Sequence, residues 1–460
     1  MIKTIIEKEI LNKYEVKGPR YTSYPTINNF NDVLGNENKS LTKMLKFFGH
    51  IKAQKPISLY VHIPFCDSLC YYCACNKIIT KNKSHADIYL DYIQKEWELY
   101  KNIFHSEIEI NSLHLGGGTP TFLTNEQLRK LISIFNPHST SQKIERSIEI
   151  DPRTVNKERL RLIRDLGFNR ISFGVQDLDI SVQRVVNREQ SYEEICSLIS
   201  AAKKEKFHSI NIDLIYGLPL QTKKSFSTTL KKIIGLKPDR IALYSYAHLP
   251  KIFKSQRSIE SDGIPSSNEK ISMLENAIDY FNDAGYEYIG MDHFALPHDE
   301  ISMAKKQGRL FRNFQGYTLH NDNIVGLGAS SISQYDSYYY QNEKNIKSYY
   351  SSIDNNKVPI TKLFSLNKDD LLRREVIMKL MCQGFIDFKE LENIYNIYFH
   401  QYFNYELKLL DEFQKDKLVK ASKDSITITK KGWYFIRSIA MVFDSYLRSS
   451  QDLSRFSKVF

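Results

Sequence analysis

The sequence predicts an α/β fold: a partial (β/α)6 barrel with an N-terminal arm and a small, mostly helical C-terminal domain. Three observations carry that expectation. Short apolar segments recur six times, each followed by a polar or glycine-rich turn and a helical pattern. Polar or special residues stand at the C-terminal ends of those segments, where a parallel barrel gathers its chemistry. Beyond residue 365 the pattern changes to helices with one hairpin.

Strands are expected at ISLYVHI (57–63), SLHL (112–115), SIEI (147–150), RISFGV (170–175), INIDLIY (210–216) and RIALYSY (240–246). The first gap is long, and the later gaps of roughly 25–35 residues suit a βα unit. Cys66 follows the first strand, and Gly116, Gly117, Gly118 and Thr119 follow the second. Glu149 and Asp151 end the third, and Gln176 and Asp177 follow the fourth. Asp213 lies within the fifth, and Ala247 and His248 follow the sixth.

Helices are expected between them. Thr124 opens a capping box with Gln127. KERLRLIRDLG predicts a helix stopped at Gly167. Ile195, Leu198, Ile199 and Ala202 share one helical face. Cys196, inside that helix, and Cys382 read as packing residues. In the C-terminal part, LNKDDLLRREVIMKLMC, FKELENIYN and NYELKLLDEFQKDKLV read as helices, KLVKASKDSITITKKGW as a hairpin, and WYFIRSIAMVFDSYL as one last helix. Such a pattern resembles a winged helix. The expected domains are 1–50 (arm and extension), 51–364 (barrel) and 365–460 (C-terminal domain).

The chain has 460 residues, 42% of them hydrophobic, enough for a large core. Mean hydropathy is −0.41. No apolar run approaches the ~20 residues of a membrane span, and the N-terminus has no continuous apolar signal segment. A cytoplasmic protein is expected. In that reducing compartment, clustered cysteines bind metal or do chemistry more often than they form disulfides. The formal charge is +11, with no run of five or more Lys/Arg. Dispersed basic residues argue against a nucleic-acid tail; they fit a solvated surface or a site for a polycarboxylate.

The cysteines pose the sharpest question. HIPFCDSLCYYCACNK (62–77) holds Cys66, Cys70, Cys73 and Cys75, four of the chain's six. Structural zinc sites usually combine two separated Cys/His pairs, and no second pair follows. Three cysteines on one loop can instead hold three irons of a [4Fe–4S] cluster, leaving one iron for a small ligand.

The C-x3-C-x2-C loop resembles the signature of the radical S-adenosylmethionine (SAM) superfamily, and LHLGGGTPT resembles its glycine-rich SAM motif. That likeness implies one-electron cleavage of iron-bound SAM to methionine and a 5′-deoxyadenosyl radical. A closer likeness runs from Gly18 to the C-terminus through GPRYTSYPT (18–26), LYVHIPFC, CACNK, LHLGGGTPT, SIEIDPR, GVQD, VVNREQ, NIDLIYGLP, YAHLP, YIGMDHFA and RNFQGYT. These stretches resemble the oxygen-independent coproporphyrinogen III oxidases (coproporphyrinogen dehydrogenases) of haem biosynthesis.

The resemblance implies a TIM-like radical SAM barrel and a set of site residues. Cys66, Cys70 and Cys73 would ligate the cluster. Tyr60, Tyr72, Gly117, Gly118, Thr119, Glu149, Gln176, Arg188, Asp213, Ala247 and Ile332 would contact SAM, which the family can hold as two neighbouring molecules. Tyr60 and Cys75 would act catalytically, with Cys75 facing substrate. The implied substrate is coproporphyrinogen III, two of whose four propionates become vinyl groups, giving protoporphyrinogen IX. The implied partners are an electron donor of flavodoxin or ferredoxin type and no nucleic acid, with a monomer as the working unit. The arm is expected to cover the substrate opening, with Arg20, Tyr21 and Tyr24 facing the site, or else simply to pack on the barrel.

Two stretches depart from the family pattern: LHL replaces a tryptophan-containing strand, and LHNDNIVGLGASS follows NFQGYT. The main alternative is a haem chaperone of the same superfamily, which lacks the CxCNK continuation and the RYTSYPT arm. A haem-modifying methyltransferase and a DNA-binding regulator are weaker alternatives.

Overall fold

The six apolar segments form six parallel strands: β1 (Ile57–Ile63), β2 (Ile110–Gly117), β3 (Glu145–Ile150), β4 (Arg170–Gln176), β5 (Ser209–Tyr216) and β6 (Arg240–Ser245). The computed structural model describes residues 8–33, 39–50, 56–104, 108–135, 144–449, 456 and 458. Helices Ser84–Phe104 (α1), Asn125–Phe135 (α2), Lys157–Asp165 (α3), Tyr192–Lys204 (α4) and Lys223–Gly235 (α5) connect them. Both arms of the Thr124–Gln127 capping box form, at 2.9 and 3.2 Å. Ile195, Leu198, Ile199 and Ala202 are buried, as is Cys382.

Residues alternate along these strands in a way that decides the interior. Leu59 and Val61, Leu113 and Leu115, Ile148 and Ile150, and Ile212 and Leu214 are fully or nearly buried. Tyr60, His114, Ser147, Glu149, Ser172, Gly174, Gln176, Asn211, Asp213 and Tyr244 alternate with the buried set and are only partly buried. Side chains on a strand alternate faces. One face is therefore an apolar layer under the helices, and the other is a polar lumen.

The sheet runs past the expected six strands. It has 13 strands among the described residues. Beyond β6, strands β7 (Glu287–Gly290) and β8 (His293–Ala295) form a hairpin, with β8 antiparallel to β6. A second hairpin, β9 (Phe311–Asn313) and β10 (Gly316–Thr318), forms a separate sheet. On the other side, β11 (Asn323–Leu327) adds parallel to β1. From it an antiparallel meander runs through β12 (Ile332–Tyr335), β13 (Tyr338–Asn342) and β14 (Ile360–Ser365) to Asn31–Asp32.

The C-terminal part has helix Lys368–Gln383 and a three-stranded sheet of Phe385–Asp387, Val419–Ala421 and Ser425–Ile428. The expected single last helix is broken into Gly432–Phe435, Ile436–Met441 and Ser445–Ser449. Asp444 is the cause: its Oδ1 accepts the backbone N–H groups of Tyr446 (2.9 Å) and Leu447 (3.1 Å), starting a new turn.

Glu96 on α1 holds the loop after β11. Its carboxyl accepts from Gly328 N (2.8 Å), Tyr349 Oη (2.6 Å) and Asn342 Nδ2 (2.6 Å). Burial pushes this carboxyl up to about 7 against those three donors. Tyr89, from the same helix, donates to His62 O at 2.7 Å and accepts from Ala329 N at 2.9 Å.

A raised carboxyl favours the folded state while protonated, so its contribution falls as pH rises from the unfolded value, near 4.5, through 7. Denaturation of wild type and Glu96→Gln at pH 5 and pH 8 tests this. The wild-type stability relative to the variant is expected to drop by up to about 3 kcal/mol across that range. A difference independent of pH would refute the assignment.

Candidate functional site

The loop after β1 is held by backbone bonds to its neighbours. Gly118 N donates to Ile63 O (2.8 Å), Thr119 N to Phe65 O (2.9 Å) and Ile78 N to Pro64 O (2.7 Å). A side chain at Gly118 is excluded, since a Cβ there would lie 2.8 Å from Pro64 C. Gly117 has φ +116°, a conformation that favours glycine.

This approach creates a cavity of about 320 Å³ at the C-terminal ends of the strands. That is a size for a small-molecule site. Of the expected site residues, Cys66, Cys70, Tyr72, Cys73, Cys75, Gly117, Gly118, Thr119, Glu149, Gln176, Arg188 and Asp213 line it together. Tyr60, Ala247 and Ile332 do not. Tyr60 stands behind the lining, its ring stacked on His114 and its hydroxyl 3.2 Å from His62 Nδ1. The Ala247 carbonyl accepts from Gln256 Nε2 at 3.1 Å. Ile332 packs with Phe30, Tyr339 and Phe364.

The four thiols differ in surroundings. Burial pushes the Cys66 thiol up to about 11, although Thr119 Oγ1 donates to its sulfur at 3.3 Å. The neighbouring Cys75 thiol lowers Cys73 to about 6 and is itself raised beside it; Lys77 and Arg188 favour the Cys73 thiolate further. Among the described residues no three His, Cys, Asp or Glu side chains are grouped around a single-ion site. Three thiols spread along a cavity wall suit a cluster, whose ligands bind separate irons.

The lumen carboxyls also differ. Burial pushes Glu149 up, but His114 and the Gly117 N–H, which donates to Oε2 at 3.0 Å, outweigh it and leave Glu149 below the usual range. Its side chain is 45% exposed, toward the cavity. Asp213 is pushed up to about 7 by burial and by the Glu149 charge, despite bonds from Ser172 Oγ (3.0 Å) and Asn211 Nδ2 (2.8 Å). Three buried polar atoms lack partners here: Gln176 Oε1, Arg188 Nε and Asn211 Oδ1. Gln176 also holds a left-handed backbone, φ 69°, at an irregularity in the β4–β5 register. Strain of this kind gathers at ligand sites.

Asp151, marked in the sequence by its place at the end of the third strand, bonds both Arg153 and Arg188. Other contributors carried no signal of their own. Gln256, 2% exposed, donates to Tyr72 O (3.2 Å) as well as to Ala247 O, and Ser255 Oγ donates to Cys73 O at 2.8 Å. Only the motif SIEIDPR hinted at Arg153.

Of the two placements left open for the arm, Tyr21 and Tyr24 take the packed one. Tyr21 and Tyr24 are buried and turn away from the lumen: Tyr21 Oη donates to Asp444 Oδ2 (2.9 Å), and Tyr24 Oη bonds Ser445 Oγ (2.8 Å). Arg20 alone points inward, over Tyr244 and 3.4 Å from Asp292. Arg312 donates to Tyr21 O at 3.1 Å, and Arg437 donates to Gly18 O and Pro19 O. His293 donates from Nδ1 to Met291 O (2.7 Å), and burial lowers it to about 3; His248 bonds Tyr246 Oη at 2.9 Å.

Comparison with known proteins agrees with this geometry. Residues 60–233 match the Radical SAM superfamily, and residues 366–435 match the HemN C-terminal domain. The oxygen-independent coproporphyrinogen III oxidase of Pseudomonas aeruginosa is 44% identical, over 98% of this chain and 98% of that protein. The chain belongs to the oxygen-independent coproporphyrinogen III oxidase family. The Escherichia coli oxidase is 43% identical over 98% of this chain and 97% of its own length. The solved structure described as "Coproporphyrinogen III oxidase (HemN) from Escherichia coli is a Radical SAM enzyme" matches with a TM-score of 0.88 and 42% identity. It covers 95% of this chain and 98% of that one. No helix among the described residues is long and apolar enough to cross a membrane.

Asp151 is the electrostatic centre of this wall. Arg188, with 8% of its side chain exposed, depends on it for a charge partner. Asp151→Ala is expected to destabilise the protein by about 3–5 kcal/mol, the cost of a buried charge left alone. Arg153→Met should cost less, because Asp151 retains Arg188. Urea denaturation of the two variants at neutral pH checks the order; equal losses would contradict it.

Proposed function

We propose that this chain is an oxygen-independent coproporphyrinogen III oxidase of porphyrin biosynthesis. Each of two propionates of coproporphyrinogen III loses a β-hydrogen, CO2 and one electron to become a vinyl group, giving protoporphyrinogen IX. The observation that carries the reading is one cavity. Three thiols of a single loop face the same space as the glycine turn and an ionised carboxylate, in a chain nearly half identical to such oxidases over its whole length.

The cofactors are a [4Fe–4S] cluster and SAM. The donor set fits them: three thiols supply three iron ligands and leave one iron open, and unpaired Gln176 Oε1 and Arg188 Nε offer polar contacts to a ligand. When bound, this pair supplies a one-electron cleavage that produces a carbon radical able to take hydrogen.

We assign Cys66, Cys70 and Cys73 as the iron ligands. Glu149, held ionised, is suited to the ammonium group of SAM, with Gly117, Gly118 and Thr119 giving close backbone approach. Gln176, Arg188, Asp213 and Tyr72 line the remaining wall. Tyr60, Ala247 and Ile332 act from behind the lining or at its edges. Cys75, whose thiol faces the cavity, is assigned to the substrate side together with Tyr60.

Anionic propionates need cations held in place. Arg20, Arg312 and Arg437 surround a single carboxylate, Asp292, beside Tyr244. This excess of positive charge is assigned to the propionates that are not reacting. Arg20 and Arg312 are the contacting pair, while Arg437 anchors the arm.

Residues 51–364 serve as the catalytic barrel, 1–50 as the arm and extension, and 365–460 as a helical, winged-helix-like domain that holds the arm. An oxygen-sensitive cluster with free thiols belongs in a reducing compartment, here the cytoplasm. A small flavodoxin- or ferredoxin-type protein supplies the electron. A monomer is proposed as the working unit.

Anaerobic incubation of reconstituted protein with coproporphyrinogen III, SAM and a reductant should give vinyl product and 5′-deoxyadenosine; neither product would end the assignment. Cys66→Ser, Cys70→Ser and Cys73→Ser should each lose most iron. Cys75→Ser should keep iron and its spectrum yet lose decarboxylation; a loss of iron equal to that of Cys70→Ser would make Cys75 a ligand. Arg20→Met should raise KM for coproporphyrinogen III about tenfold, the worth of one charge-assisted bond, without changing iron content. An unchanged KM would remove Arg20 from substrate binding.

A further inference from the structure

Cys70 has an environment the other thiols lack. Arg188 Nη1 donates to its sulfur at 3.3 Å, and Arg153 Nη2 approaches the same sulfur at 3.6 Å. Both guanidinium groups are gripped by Asp151. Arg188 Nη1 donates to Oδ2 at 3.0 Å; Arg153 donates from Nε to Oδ1 at 3.0 Å and from Nη2 to Oδ2 at 2.8 Å. Arg188 is fixed further by Gly174 O at 2.6 Å. Asp151 is itself buried and caps the turn Pro152–Thr154 through Arg153 N. A carboxylate so placed cannot turn toward the sulfur without breaking its other bonds. It therefore spaces the two cations and presents their N–H groups.

A plain structural reading makes the triad a barrel-end salt bridge. That reading accounts for the Asp151 contacts but not for two N–H donors converging on one sulfur. Hydrogen bonds and net charge beside a cluster sulfur set its reduction potential. The triad carries one net positive charge, which stabilises the added electron.

We propose that Arg153 and Arg188, positioned by Asp151, raise the reduction potential of the iron–sulfur cluster through the Cys70 sulfur. This rests on the assignment of Cys70 as a cluster ligand. Arg153 and Asp151 are positioning residues: they act through Cys70 and need no contact with substrate. The device makes the three ligands unequal. It eases the delivery of one electron to a site that otherwise resists further negative charge, because three thiolates already surround it.

Redox titration of the reconstituted cluster, followed by EPR without substrate, tests the proposal. Arg153→Met is expected to retain iron and to lower the equilibrium constant for one-electron reduction about tenfold, the worth of one charge-assisted bond. That corresponds to a shift of about 59 mV to more negative potential. Arg159→Met is the control. Its guanidinium shares the neighbouring groove with Arg153 but donates to Leu123 O and not to a thiol. It should leave the midpoint unchanged.

An unchanged midpoint in iron-replete Arg153→Met overturns the proposal, as does an equal shift in both variants, which would mean bulk charge alone. Asp151→Ala separates positioning from charge. Loss of its negative charge alone would raise the potential, whereas release of the two guanidinium groups lowers it, and lowering is expected. Should the variants fail to hold iron, wild-type protein labelled with 15N-arginine decides the contact. The reduced cluster should show 15N hyperfine coupling, and its absence overturns the proposal. Failure of the underlying assignment reads differently: Cys70→Ser would then keep its full iron.

Discussion

Everything at the site depends on how closely two strand ends approach. Gly118 and Thr119 pair through their backbones with Ile63 and Phe65, and Pro64 leaves no room for a Cβ at Gly118. That contact fixes where the chain leaves β1, and so where Cys66 stands. The same turn aims Gly117 N at Glu149 and Thr119 Oγ1 at the Cys66 sulfur. A methyl group at Gly118 would push the thiol loop away from the lumen, and one at Gly117 would run into the His62 ring, so the carboxylate, the glycine turn and the cysteines would no longer share a cavity. Long-range geometry here rests on the smallest possible side chains.

The lumen then sorts charge by depth and neighbour. Glu149 receives a backbone N–H and stands beside His114, so it stays ionised; Asp213, beside that charge, is pushed toward its neutral form. Two carboxyls in one cavity thus present different faces, one an anion and one able to donate a hydrogen bond. Guanidinium groups gather at two places: around Asp292, and around Cys70 in the same cavity as Glu149 and Asp213.

Most of the fold was legible because it repeats. Each of the six strands alternates apolar with lumen-facing residues between helices of ordinary length, and local pattern is enough to find them. Strands β11 to β13 escaped because NIVGL, ISQY and YYYQN are short and follow one another with no helix between them. β11 finds its partner β1 roughly 260 positions earlier in the chain, and β12 to β14 then pair in succession from β11. The last helix was misjudged because Asp444, in the middle of an apolar run, caps a new turn. At the site, the three thiols and the glycine turn announced themselves by spacing. Asp151 was marked only by its place at a strand end, and Arg153 and Gln256 were not marked at all, since a basic and an amide side chain carry no sign of the partner they will meet. Composition left two placements open for Tyr21 and Tyr24, and their hydroxyls settle on packing through Asp444 and Ser445.

Gln256 has a consequence in time. One buried amide holds both the Tyr72 carbonyl, inside the thiol loop, and the Ala247 carbonyl, after the last strand of the barrel. Ser255 holds Cys73 in the same way, and Arg188 holds Cys70. The loop is synthesised early, and these three clamps are synthesised later. On the ribosome, Cys70 emerges 118 residues before Arg188, and Cys73 emerges 182 residues before Ser255. Iron loaded during synthesis would meet a loose thiol tail. Iron loaded after release would meet a loop already clamped by these side chains.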